Sequence, residues 1–265
     1  MDGRAPRAGK RRAARWVGAL LAAELVAGSV GRARASTCPV PVGADAALGA
    51  IDASERLAFL ADGMHEAARR AKIWTYTWTG LHAAMGVGQL AILPIVPAET
   101  HVDRYLGSAA SLVGIVSLLA LPLRVIKDAR VLDEKRAALA GGGDACALLA
   151  EAEQWVDRDA VNEARVHAWW PHTATMLFGA GLGLTLALGW KRYDQGAVIA
   201  VASMFIGELR LNTQPEDAAP LRERYRAAKL GGQRSVAAQK QWMVVPSVAP
   251  LPGGAAATVD VVGTF

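Results

Sequence analysis

The sequence predicts an all-α membrane protein: a helical bundle of four transmembrane helices in two duplicated hairpins, with helical periplasmic extensions and a small β-prone tail. Three observations predict it. Apolar residues gather in long blocks with few charges. Tryptophans, tyrosines and prolines stand at the ends of those blocks. The same order of elements occurs twice along the chain.

Composition supports the first point. Hydrophobic residues make up 52% of the 265, charged residues 20%, and mean hydropathy is +0.21. That is more apolar than an ordinary soluble domain. The pI of about 9.5 suggests nucleic acid at first sight. The basicity is local, however. Residues 1–35 hold eight of the 29 basic side chains and two of the 24 acidic ones, so the rest of the chain is at net −1. Nothing there favours a phosphate backbone.

Residues 1–35 read as a secretory signal peptide. Arg4, Arg7, Lys10, Arg11, Arg12 and Arg15 form the charged region. An apolar stretch interrupted by Glu24 follows, and Ala33-Arg34-Ala35 supplies small residues ahead of Ser36. An uncleaved anchor is the alternative, but the stretch is short of the roughly 20 apolar residues that a span needs. Export places Cys38 and Cys146 in an oxidising compartment. They allow one disulfide; two unpaired small hydrophobes are the other reading.

The first unit, 36–143, carries spans over 73–96 and 105–126. Trp74, Tyr76 and Trp78 mark the outer end of the first, and Pro94 and Pro97 its far end. A linker over 98–104 leads to the second span. The second unit, 144–232, carries spans over 169–188 and 197–211. Trp169, Trp170 and Trp190 flank the third, and the shorter fourth ends with Glu208 and Arg210. Spans one to three exceed the 10–14 residues of a buried soluble helix, which favours lipid as their surroundings. Polar helices are expected over 46–70, 127–140, 145–167 and 216–230, with stops at Gly141-Gly142-Gly143 and Gly231-Gly232.

The duplication rests on matched residues. At an offset of 95, Asp62, Arg70, Trp74, Gly86, Gly88 and Leu93 meet Asp157, Arg165, Trp169, Gly181, Gly183 and Leu188. At 86, Ser117, Leu123 and Arg124 meet Ser203, Leu209 and Arg210. Gly179-x-x-x-Gly183 is a close-packing motif, with Ala84-x-x-x-Gly88 its counterpart. Span one is therefore expected to pack on span three, within one chain or across a homodimer.

The signal peptide puts Ser36 outside, and four spans return the C-terminus to the periplasmic side of a bacterial inner membrane. The positive-inside rule is poorly served. The inner turns hold Arg104, Lys191 and Arg192, while the outer flanks hold Arg69, Arg70, Lys72, Arg124, Lys127 and Arg130. The dense leader charge acts on the first insertion event and sets the expected orientation.

Residues 233–265 form the tail. Stretches 242–249 and 255–265 are β-prone around the turn sequence Leu251-Pro252-Gly253-Gly254. Val259, Val261, Gly263 and Phe265 alternate in a way that resembles the last strand of outer-membrane β-barrel proteins. The rest of the chain lacks the repeated strands of a barrel. A hairpin whose edge pairs with a periplasmic partner is the better reading. The chain as a whole resembles exported multi-pass membrane proteins of high-GC bacteria, a likeness that implies no activity.

No catalytic, cofactor-binding or metal-ligating set is legible. C-x-x-C, P-loop, H-E-x-x-H and G-x-S-x-G patterns are absent. Weak functional candidates are His82 within span one, His172 near the outer end of span three, and Glu208 and Arg210. At the repeat offset His82 meets Leu177 and His172 meets Thr77, so the histidines do not form a matched haem pair. Snorkelling to the interface is the simpler reading of Glu208 and Arg210. The leading reading is a non-enzymatic scaffold or interaction protein, with lipid bilayer and a homodimeric or periplasmic partner. The alternative is a small transporter or channel, which needs a polar-lined midplane cavity. Gln89, His82 and Ser117 are its only candidates. A haem or quinone protein using His82 is the third.

Overall fold

The computed structural model describes residues 37–120, 123–139 and 141–231, and the backbone of 241–251 and 254–264. The leader, Pro122, Gly232, Pro252, Gly253 and the terminal Phe265 lie outside them.

Among the described residues the helices are α1 (Ala53–Ala91), α2 (His101–Ala120), α3 (Arg124–Leu139), α4 (Ala145–Val166), α5 (Trp169–Trp190), α6 (Tyr193–Asn212) and α7 (Ala218–Arg226). Strands β1 (Gln241–Leu251) and β2 (Gly254–Thr264) pair antiparallel, with Val244 opposite Val261. The helix expected from residue 46 is broken. Ala46–Ala50 is a short 3-10 turn capped by Asp45, and α1 begins only after Asp52, whose side chain accepts from the Ser54 N–H. The linker expected over 98–104 is shorter than predicted, because α2 already begins at His101.

Polar and apolar helices separate into two regions. The first half of α1 packs with α3, α4 and α7 around Leu57, Leu60, Met64, Leu132, Leu149 and Tyr225. We call this the head bundle. A disulfide joins Cys38 to Cys146, at the start of α4. The second half of α1 pairs with α2, and α5 pairs with α6. At about 1.5 Å per residue, the 39-residue α1 is long enough to belong to both regions.

Four spans are expected, and among the described residues two stretches are long and apolar enough to cross a membrane: Ala98–Leu139, which contains α2, and Trp169–Trp190, which is α5. The others fall short. The second half of α1 includes His82 and Gln89, and α6 ends in Glu208, Arg210 and Asn212.

Within the chain, the expected packing of span one on span three is not made. Gly179 and Gly183 face α6, the other arm of their own hairpin. A Cβ on Gly183 would lie 2.5 Å from the Gly196 carbonyl oxygen, and one on Gly179 2.9 Å from that of Ala200. Ala84 and Gly88 are exposed, and Gly88 has open space around it. Gly86 makes the close approach instead, against Ser111 of α2. The reason is continuity. Ala67, Ala71, Thr75, Trp78, His82 and Gly86 form one buried stripe along α1. The head bundle fixes the phase of that stripe, and it carries Gly86 inward. α5 is separated from α4 at His167-Ala168 and takes its own phase.

The contact sets a test. Gly183→Ala puts a methyl group against backbone that cannot yield, and should destabilise by about 1–3 kcal/mol. Gly181→Ala is the control, since nothing lies within 4 Å of its Cβ. Thermal unfolding in detergent compares the two. Equal midpoints would remove the close-packing argument.

Candidate functional site

The two hairpins are joined at their ends, and between the ends the Arg210–Ser117 hydrogen bond crosses from α6 to α2. At the head end, the indole N–H groups of Trp74 and Trp78 both donate to the Thr213 hydroxyl, at 3.3 and 3.1 Å. At the turn end, Arg192 pairs with Asp103 at 2.9 Å and donates to the Glu99 carbonyl. Between these clamps lies a cavity of about 600 Å³. Its walls are mainly apolar, with Val113, Leu118, Phe178, Ile199 and Ile206 among them. No Asp or Glu lines it, while Arg165 and Arg210 do.

The polar side chains of the cavity have few partners. His82 is 8% exposed, and neither ring nitrogen has a hydrogen bond. Its ring lies against Gly114, where a Cβ would meet it at 2.5 Å. The glycine is therefore what admits an imidazole between α1 and α2. Ser117 donates to the Gly114 carbonyl at 2.7 Å and accepts from Arg210 Nη1 at 2.8 Å. Arg210 has no carboxylate within 4.0 Å among the described residues. Gln89, Ser111, Thr175, Ser203 and Gln214 also line it.

The four weak candidates of the sequence thus divide into two pairs. His82 and Arg210 line the cavity. His172 and Glu208 meet each other, Nδ1 to Oε2 at 2.6 Å, and tie α5 to α6. Snorkelling to the interface does not describe Arg210: its guanidinium turns to Ser117 on the opposite hairpin. Among the described residues, no group of three or more His, Cys, Asp or Glu side chains is placed to hold a metal.

Sequence reasoning missed a second set of groups in the head bundle. A recess of about 260 Å³ is lined by Asp159, Glu163 and Asp217, with Leu123 and Arg124 opposite. Glu163 caps α7, accepting from the backbone N–H groups of Asp217, Ala218 and Ala219 at 2.9–3.1 Å. Burial nevertheless pushes its carboxyl up to about 7, against the pull of those donors. Asp159 is also held well above the usual carboxylate range, by burial first and then by the neighbouring Asp128 charge; Arg158 offsets part of this. Asp159 and Glu163 stand one turn apart on α4, but only the fold brings Asp217 beside them, so no spacing in the chain announces the full set.

A raised carboxyl fixes the sign of the pH dependence. The folded state binds the extra proton, so the contribution is greatest below the unfolded value near 4, declines as pH rises toward the folded value, and is constant above it. Asp159→Asn should therefore raise the thermal midpoint by a few degrees at pH 8 and leave it near wild type at pH 4. A midpoint that falls at pH 8 would show that the Asp159 charge is stabilised rather than penalised.

Comparison with protein-family models, with curated proteins and with solved structures gives no match for this chain.

Proposed function

We propose that the chain is an integral inner-membrane protein with four spans, and that it binds an apolar or amphipathic small molecule in the cavity between its hairpins. The cavity carries this reading. Its volume is that of a small-molecule site, and its walls are apolar with a few convergent polar groups. His82, Gln89 and Ser117, the sequence's candidates for the polar lining of a transporter cavity, all line it. That favours the transporter class over a scaffold that works only through its surfaces.

Lipid as the surrounding solvent is supported by exposure. Only 25% and 17% of the two most apolar windows are buried, which a soluble core helix does not tolerate. The two less apolar arms turn apolar faces outward as well. Tyr76, Val87 and Leu90 do so on α1, and Val198, Val201 and Phe205 on α6. Such a surface in water would be a large aggregation-prone patch. The order polar segment, apolar segment, apolar helix, polar helix in each half supports a duplication, the first two segments being joined in α1 and separate as α4 and α5. Two spans per half would make the repeats parallel, with the head bundle and the C-terminus on the periplasmic side.

Two measurements test the reading. Reporter fusions after residues 100, 143, 193 and 265 should place 143 and 265 outside and 100 and 193 inside. Purified protein in detergent should quench its cavity-lining tryptophans, Trp74 and Trp170, on titration with a brominated single-chain amphiphile. A chain that stays in the supernatant after ultracentrifugation without detergent sinks the whole proposal.

A further inference from the structure

We propose that Arg210 receives the anionic head group, carboxylate or phosphate, of an amphiphile whose acyl tail fills the apolar part of the cavity. The inference rests on the cavity being a ligand site, as argued above.

Charge comes first. A lone cation in a membrane helix is costly, about 2.5–3.5 kcal/mol even on the mildest scales, and such residues face a partner or a cavity. Arg210 faces a cavity that has cations but no carboxylate in its lining. Its nearest acid in the chain, Glu208, is bound to His172 on the other side of the helix. One guanidinium donor is spent on Ser117. A guanidinium has five, in a fork that matches carboxylate and phosphate oxygens.

A second observation points to the same place. His82 is more than nine-tenths buried, lines the same cavity and has both ring nitrogens free of hydrogen bonds. It rests on Gly114, and Arg210 rests on Ser117. Those two α2 residues are three apart and so share one helix face, with about 4.5 Å between them along the axis. That sets the imidazole beside the guanidinium in the lining, where its covered nitrogens leave the anion to Arg210. Arg165, exposed at the end of α4, lines the cavity as well and adds a cation at its rim. The other end has no charged side chain in its lining; Gln89 and Ser111 are polar there, and Val113 and Ile199 give apolar wall that suits a tail. The combination selects against neutral amphiphiles, which would leave the guanidinium unpaired.

The test uses full-length protein in detergent, stripped of lipid, and compares palmitate with methyl palmitate by displacement of a brominated acyl probe. Wild type should bind the acid about tenfold or more tightly than the ester, the usual scale of a charge-assisted hydrogen bond. Arg210→Gln should remove that preference while ester binding stays, and Arg210→Lys should keep part of it. Thermal midpoints of both variants show that they are folded. Equal binding of acid and ester by wild type overturns the inference and leaves the cavity reading standing. Binding of neither probe by folded wild type overturns the cavity reading itself. A last arm separates the sources of the anion. Protein is passed through vesicles of phosphatidylglycerol or of phosphatidylcholine before extraction. Retained phosphatidylglycerol that blocks palmitate assigns the site to a bilayer phospholipid, and free entry of palmitate assigns it to a fatty acid; both keep Arg210 as the anion site.

Discussion

Arg56→Met should cost the head bundle about 3–5 kcal/mol, the range seen when one partner of a buried ion pair is removed. Arg56 is fully buried at 0% exposure. It donates from Nε to Tyr225 Oη at 2.8 Å, from Nη1 to the Cys38 carbonyl at 3.2 Å, and from Nη2 to the Pro39 carbonyl at 3.0 Å and Glu153 Oε1 at 2.7 Å. Tyr225 passes the network on by donating to the same Glu153 oxygen. Burial pushes the phenol above its usual range, so it stays a donor at every working pH. Methionine fills similar space but leaves a carboxylate, a phenol and two backbone carbonyls without their cation. The loss comes from those stranded groups rather than from the ion pair's own worth. The double variant Arg56→Met, Glu153→Met should therefore recover part of the stability that Arg56→Met loses. Thermal unfolding in detergent followed by near-ultraviolet circular dichroism reads both. A single variant within about 1 kcal/mol of wild type would show that this network contributes little.

The reach of the sequence differs between kinds of feature. The apolar block with aromatic ends located α5 to within two residues, because span length is a one-dimensional property, whereas the block over 105–126 began four residues after α2 does and ran into α3. Caps and breakers did nearly as well for α4 and α3. Partner choice was another matter. Gly179 and Gly183 correctly mark a face where a backbone comes close, but the motif does not name the helix that arrives. A two-residue connection, Lys191 and Arg192, makes α6 the neighbour of α5 before any distant helix competes. Ala84 and Gly88 match that motif by position and fail by phase, since α1 is one unbroken helix set by Trp78 and Ala71. Glu208 and Arg210 look alike in the chain, two residues apart. Two residues on a helix is about 200° of rotation, so one meets His172 and the other the cavity. The cavity itself has no linear signature. It exists because two hairpins are clamped by Thr213 at one end and Arg192 at the other. The buried cluster around Asp159 likewise depends on three helices meeting.

The Cys38–Cys146 bridge makes the second large prediction. It closes a loop of 108 residues that contains α1, α2 and α3. For a loop near 100 residues, chain entropy assigns about 4.7 kcal/mol to the cross-link, and measured losses run from roughly 2 to 5. The paired variant Cys38→Ser, Cys146→Ser should fall in that range. The bridge also holds the segment whose Cys38 and Pro39 carbonyls accept from Arg56. Loss of the bridge and loss of Arg56 act on one network, so their costs should not add. In the triple variant, Arg56→Met should cost clearly less than it does alone. Full additivity would mean that the segment stays in place without its cross-link. The same bond reports orientation. A disulfide persists on the oxidising side of the membrane and is reduced on the other. In membranes from intact cells, non-reducing electrophoresis should show no thiol available for alkylation until a reductant is added. Two free thiols in a folded protein would put the head bundle in the cytoplasm and reverse the topology on which the periplasmic reading depends.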